Sequence, residues 1–97
     1  MANTNHDKIA KELAETFGTK YNKGKGPDIK TKNKVIEVVT HESDLYSSIK
    51  QIGRYQKPKY FAVPNKLVNK AKEITKGTGI GIITPTGIIK KKSRNKK

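Results

Sequence analysis

Asp28 and Glu37 are the residues of this 97-residue chain whose types and spacing point most directly to chemistry. Glu37 is the only charged residue within residues 35–39, an apolar run whose length and β-branching predict a buried strand. A lone carboxylate is costly to bury, so Glu37 is expected to have a partner or a metal. Asp28 lies nine residues earlier, directly after Gly26-Pro27, at the start of the preceding predicted strand. If the two strands pair through the polar turn at residues 31–33, the carboxylates approach each other on neighbouring strands. Hard oxygen ligands so placed, with water completing the shell, suit Mg²⁺ or Mn²⁺. Such an ion activates water and stabilises the charge of a phosphodiester under attack. The plainer reading is an Asp at a turn and a Glu paired to one of many lysines, and spacing alone leaves both open.

The elements that must position these acids follow from periodicity. A first helix is predicted over residues 5–17, where Ile9, Leu13 and Phe17 with Ala10 and Ala14 form one apolar stripe and Gly18 acts as the stop. The basic, glycine-bearing stretch 19–26 is expected to hold a short strand around Tyr21. Strands follow at residues 27–30 and 34–40. Ser43 or Asp44 opens a second helix to Gln56 with Leu45, Ile49 and Ile52 inward. Residues 59–63 read as a strand. Pro64 or Asn65 opens a third helix to Lys76 with Leu67, Val68, Ala71 and Ile74 inward, stopped by Gly77. Final strands are expected at 79–84 and 87–89, split by a Thr-Pro-Thr-Gly turn. The order α-β-β-(β)-α-β-α-β predicts an α/β fold, a central mixed sheet flanked by helices in a single domain over residues 1–89. The basic tail at 90–97 is expected to be disordered, because it has nothing to bury.

Charge narrows the partner. Lys and Arg number 22 against eight Asp and Glu, a net charge of +14, and six of the basic residues lie at 90–97. Such a field attracts a polyanion, and release of condensed counterions from a phosphate backbone drives the association. Nucleic acid is therefore the expected partner, and the family resemblance below puts DNA ahead of RNA. The plain alternative is a lysine-coated surface kept soluble by repulsion. The longest uncharged run, residues 77–89, contains Pro85 and falls short of the ~20 apolar residues that span a bilayer. With no leader pattern at the start and no cysteine, the expectation is a soluble cytoplasmic protein with no membrane partner.

Pro27-Asp28, then eight residues, then Glu37 inside a hydrophobic strand resembles the PD-(D/E)XK nuclease superfamily, which includes restriction enzymes and archaeal Holliday-junction resolvases. The resemblance spans roughly residues 5–84 and implies a restriction-endonuclease-like fold with Asp28 and Glu37 as metal-binding acids. It implies the backbone carbonyl of Val38 as a further ligand and maps the first-helix acid of several relatives onto Glu12 or Glu15, which otherwise read as solvent-facing helix residues. Gln51-Ile-Gly-Arg-Tyr55 is similar to the Gln-x-x-x-Tyr signature of the branch that includes RecB-type nucleases. Gln51 and Tyr55 share a helix face with Lys50 and Arg54 beside them, suited to phosphate contacts. An ordinary amphipathic helix explains the same spacing.

The chain departs from the family at one position. The pattern wants a lysine two residues after Glu37, and Val39 stands there. Period-two alternation puts Val35, Glu37, Val39 and His41 on one side of the strand, so no ammonium is supplied locally. Either Lys50 or Gln51 takes that role or cleavage has been lost. Elsewhere, Lys23-Gly-Lys-Gly26 reads as a phosphate-gripping loop through Lys23 and Lys25 or as a flexible connector. His6 and His41 have no third ligand or nucleophile nearby. Residues 77–81 lack the Lys-Ser/Thr of a P-loop. The expected function is a DNA-binding, Mg²⁺- or Mn²⁺-dependent endonuclease acting on structured or branched DNA, with a possible homodimer implied by the resolvase resemblance. The alternative is a non-catalytic nucleic-acid-binding protein on the same scaffold, or a ribosomal or chromatin-type basic protein.

Overall fold

The computed structural model describes residues 5–19, 21, 28–53 and 57–93, with side chains from residue 8 onward. Helix α1 (Asn5–Thr16) is followed by strands β1 (Ile29–Lys30) and β2 (Val35–Val38), helix α2 (Glu42–Ile52) and strand β3 (Lys59–Ala62). A 3₁₀ turn (Asn65–Leu67) runs into helix α3 (Val68–Ile74), and strands β4 (Gly81–Ile83) and β5 (Ile89–Lys91) complete the order. The strands lie side by side in chain order as one five-stranded sheet. β2, β3 and β4 are parallel, and β1 and β5 run antiparallel to their neighbours. The expected α/β class with a mixed sheet and flanking helices is what forms.

Strand alternation builds two apolar layers. On one face Val35, Val39, Phe61, Val63 and Ile82 pack against Leu45 and Ile52 of α2 and Val68 and Ala71 of α3. On the other, Ile29, Ile36, Val38, Tyr60, Ala62 and Ile83 pack against Ala10, Leu13 and Ala14 of α1. The connections explain the division of helices. Two right-handed crossovers stepping in the same direction across β2, β3 and β4 must lay α2 and α3 on the same face, which leaves the opposite face for α1. No helix of the described residues is long and apolar enough to cross a membrane.

Local chemistry sets the ends of the elements. Gly18 has a φ of 69°. Its N–H donates to Glu15 O at 3.1 Å, and the Thr19 N–H donates to Ala14 O at 2.8 Å. This is the paired bonding that closes a helix through a left-handed residue, as the sequence predicts. Of the strand expected around Tyr21, the described residues show an antiparallel bridge between Tyr21 and Ile29, and residues 20 and 22–27 lie outside them. The last strand departs from the expectation of residues 87–89. Ile88 and Ile89 are more than half exposed, and pairing runs to Lys91, because an irregularity at Ile82/Ile83 shifts the register.

Two residues of the stretch read as tail make hydrogen bonds to the domain. Lys91 donates from Nζ to both the carbonyl and the hydroxyl of Thr75, each at 3.0 Å, at the negative end of α3. Ser93 accepts from the Lys59 N–H at 3.1 Å and donates to Gly79 O at 3.0 Å. Residues 90–93 are thus part of the domain, and the remainder of the tail, residues 94–97, lies outside the described residues.

Gly81 shows how tightly β4 is packed. A Cβ added there would lie 2.5 Å from Tyr60 Cε2 and 2.7 Å from the Lys91 carbonyl oxygen, the second of which is backbone. Gly81→Ala is expected to destabilise the fold by about 1–3 kcal/mol, the usual range for overpacking. That corresponds to several degrees in the thermal midpoint of a domain this size. A melt followed by circular dichroism with an unchanged midpoint would contradict the packing described.

Candidate functional site

The β1–β2 hairpin brings the two motif acids together. Ile29 stands opposite Ile36 and Lys30 opposite Val35, so continuing the antiparallel register by one residue sets Asp28 opposite Glu37. The hairpin is closed by Thr31. Its hydroxyl oxygen accepts from the N–H groups of Asn33 and Lys34 at 3.1 and 3.0 Å, and its own N–H donates to Lys34 O at 2.9 Å. A Thr that satisfies two turn amides with its side chain pins the loop length, and the loop length pins the register.

At the far end of the hairpin the acids bind each other's strands. The Val38 N–H donates to Asp28 Oδ2 at 2.9 Å, and the Asp28 N–H donates to Glu37 Oε1 at 3.3 Å. Both acids are half-buried. By alternation they lie on the face of Val35 and Val39, and the β3 residue in register with Glu37 is the fully buried Phe61. The Val39 N–H donates to Ala62 O at 3.0 Å, toward β3, so the N–H and C=O of Val38 point the other way, to the edge that carries Asp28. Two carboxylates and one backbone carbonyl therefore border the same edge. Hard oxygen donors, two of them anionic, are the ligand type that divalent cations of the Mg²⁺ class take.

The other candidates divide. Val39 is 1% exposed and packs in the core beneath α2 and α3, so an apolar side chain fills the position where the family pattern has its lysine. Glu12 and Glu15 are exposed on α1, which covers the opposite face of the sheet from the acid pair. Among the described residues no group of three or more His, Asp or Glu side chains gathers as a metal site, so Glu12 does not join Asp28 and Glu37. Lys50 and Gln51 are both exposed on α2, at its C-terminal end.

Helical geometry separates Lys50 from Gln51. Glu42 pairs with Lys70 of α3 at 3.8 Å, which marks the flank of α2 that faces α3. At about 100° per residue, Ile49 lies on that flank, Lys50 points outward beyond it, and Ser48 and Gln51 lie on the opposite flank. Because the sheet order is β1-β2-β3-β4, the flank away from α3 is the one toward β1 and the acid pair. Tyr55 and Arg54, and the loop lysines Lys23 and Lys25, lie outside the described residues, as does the side chain of His6. His41 is exposed just before α2 and makes no side-chain cap.

Sequence reasoning missed a set of lysines around the turn. Lys30, Lys32 and Lys34 line a groove between that turn and the end of α1. No protein-family model, curated protein or solved structure matches this chain.

Asp28→Ala and Asp28→Asn both remove the negative charge at this position and differ in whether an acceptor remains for the Val38 N–H. The Asn variant keeps an acceptor for that buried N–H. The Ala variant leaves it unpaired, at a cost of about 1–3 kcal/mol. Chemical denaturation is expected to rank Ala below Asn by that margin, with faster exchange of the Val38 amide. Equal stability and equal exchange would contradict the geometry.

Proposed function

We propose that this chain is a DNA-binding protein of the PD-(D/E)XK, restriction-endonuclease-like kind, in which Asp28 and Glu37 hold one divalent cation, Mg²⁺ or Mn²⁺, for hydrolysis of a phosphodiester in structured or branched DNA. The observation that carries the reading is the reciprocal bonding of the two acids across the hairpin, Val38 N–H to Asp28 at 2.9 Å and Asp28 N–H to Glu37 at 3.3 Å. A pair locked in that way presents two carboxylates with little freedom to separate, which is the preorganisation a cation site needs. The net charge of +14 supports the polyanionic partner.

Each residue then has a role fixed by its chemistry. Asp28 and Glu37 supply anionic oxygens, and the Val38 carbonyl supplies a neutral one. A bound divalent ion would polarise the phosphodiester and lower the pKa of a water. Gln51, on the flank of α2 toward the acids, stands in for the absent lysine by orienting that water through its amide. It can position the water but cannot act as its base. Lys50, on the outward face, belongs to backbone contact instead, with Arg54, Tyr55, Lys23 and Lys25 as further phosphate contacts.

A second reading is favoured by Val39. With the lysine position given over to core packing, the same scaffold serves as a non-catalytic nucleic-acid-binding protein. A single experiment separates the two. The folded chain is incubated with linear, flapped and four-way-junction DNA in Mg²⁺ or Mn²⁺. Cleavage of one of these is expected, and EDTA or Asp28→Ala is expected to abolish it while binding remains. Gln51→Ala is expected to lower the rate by about 10²-fold, within the range for removal of a positioned polar group. Intact DNA in every structure would remove the hydrolytic reading and leave the binding one. Cleavage that persists in Asp28→Ala would remove the acid pair from the reaction.

A further inference from the structure

We propose that the groove between the β1–β2 turn and the C-terminal end of α1 is a second site, which grips the phosphate backbone of duplex DNA independently of the acid pair. The groove has a volume of about 390 Å³ and is lined by Phe17, Gly18 and Thr19 on one side and residues 30–34 on the other. Its charged lining is entirely basic, Lys30, Lys32 and Lys34. A fourth ammonium is held at the same turn, because Lys57 donates from Nζ to Thr31 O at 3.0 Å. None of the four forms an ion pair with an acid among the described residues, where the ion pairs found are those of Lys70 with Glu42 and Glu73. Four like charges around one four-residue turn repel one another, and a polyanion relieves that repulsion.

The walls are firm. Thr31 satisfies the amides of Asn33 and Lys34 and so fixes the turn, and the Thr19 hydroxyl donates to Lys30 O at 3.3 Å, tying the end of α1 to β1. The Lys34 ammonium lies 4.7 Å from the centroid of the Phe17 ring, a cation–π contact that holds it at the groove.

The chemistry of the lining selects among anions. The Asn33 and Lys34 amides are already bonded to Thr31, so the groove offers chiefly ammonium groups. Ammonium groups are point charges without the planar fork of arginine, suited to a repeating backbone more than to one small phosphorylated ligand. The Phe17 face is taken by Lys34, so no aromatic platform is open for an unstacked base, which favours duplex over single strand. The turn lies three residues from Asp28, or ~10 Å along β1.

The test uses the full chain in EDTA with a fluorescein-labelled 20-bp DNA duplex, titrated at several KCl concentrations. Lys32→Ala/Lys34→Ala is expected to reduce the slope of log affinity against log salt by about 1.8, at ~0.9 for each phosphate that is no longer neutralised. Lys32→Gln/Lys57→Gln, which leaves the Phe17 contact intact, is expected to do the same, and so guards against a folding defect. Lys66→Ala/Lys72→Ala removes equal charge from exposed positions around α3 and is expected to change the slope by less than half as much. The effect is expected unchanged in an Asp28→Ala background, so loss of the cation reading leaves this one standing. Groove variants that match the α3 variant in slope would overturn the site. A groove-dependent weakening seen only with a single-stranded 20-mer would overturn the duplex assignment.

Discussion

The structure depends on the register of one antiparallel hairpin. Ile29 opposite Ile36 sends those side chains to the α1 layer and, one residue on, sets Asp28 against Glu37 on the other face. A slip of one residue would reverse every side chain, placing carboxylates in the α1 core and isoleucines at the edge. The Thr31 turn at one end and the reciprocal acid–backbone bonds at the other hold the hairpin in this register. The acids are thus part of the fold before they are part of any site. Their hydrogen bonds hold them where a lone carboxylate in an apolar strand would otherwise be unfavourable.

That dual role accounts for the contrast between Glu37 and Val39. Both lie on the face beneath α2 and α3, two residues apart. Glu37 is adjacent to the β1 edge and reaches its partner there, whereas Val39 is surrounded by Leu45, Ile52, Phe61 and Val63 in the core. A lysine at 39 would need a route from that packing to the edge. Of the two polar residues at the end of α2, Gln51 rather than Lys50 lies on the flank away from α3, toward the hairpin.

Much of this arrangement is legible in the sequence because period and composition agree. An apolar, β-branched run interrupted by one acid can scarcely be anything but a central strand, and Gly18 after an apolar helical stripe is a stop signal that the bonding of Thr19 and Gly18 bears out. Other features are not local. Ile88 and Ile89 look like core in the sequence, whereas the register irregularity against β4 leaves them exposed and recruits Lys91 to the last strand. Lys91 reads as tail from composition alone, and only the fold brings the end of α3 within its reach. The side of α2 that faces the acids follows from where α3 packs, which sequence spacing does not encode. The lysines at 30, 32 and 34 read as an ordinary polar turn in the sequence, since the contact of Lys34 with Phe17 requires α1 to end beside the hairpin.

Two kinds of electrostatics thus occupy opposite ends of one hairpin, a pair of carboxylates at residues 28 and 37 and a cluster of ammonium groups at 30–34. We take the first to attract a small hard cation and the second a phosphate backbone, and the short strand between them sets their separation. Whether the acid pair is a cation site is tested most directly by a Mn²⁺ titration of the folded chain followed by NMR, with calorimetry in parallel, comparing the native protein with Glu37→Gln. Saturable paramagnetic broadening centred on Asp28, Glu37 and Val38 is expected in the native chain, with affinity weakened at least tenfold in the variant. Broadening spread over exposed carboxylates such as Glu12, Glu42 and Glu73, or identical titrations of the two proteins, would contradict a shared cation at the pair.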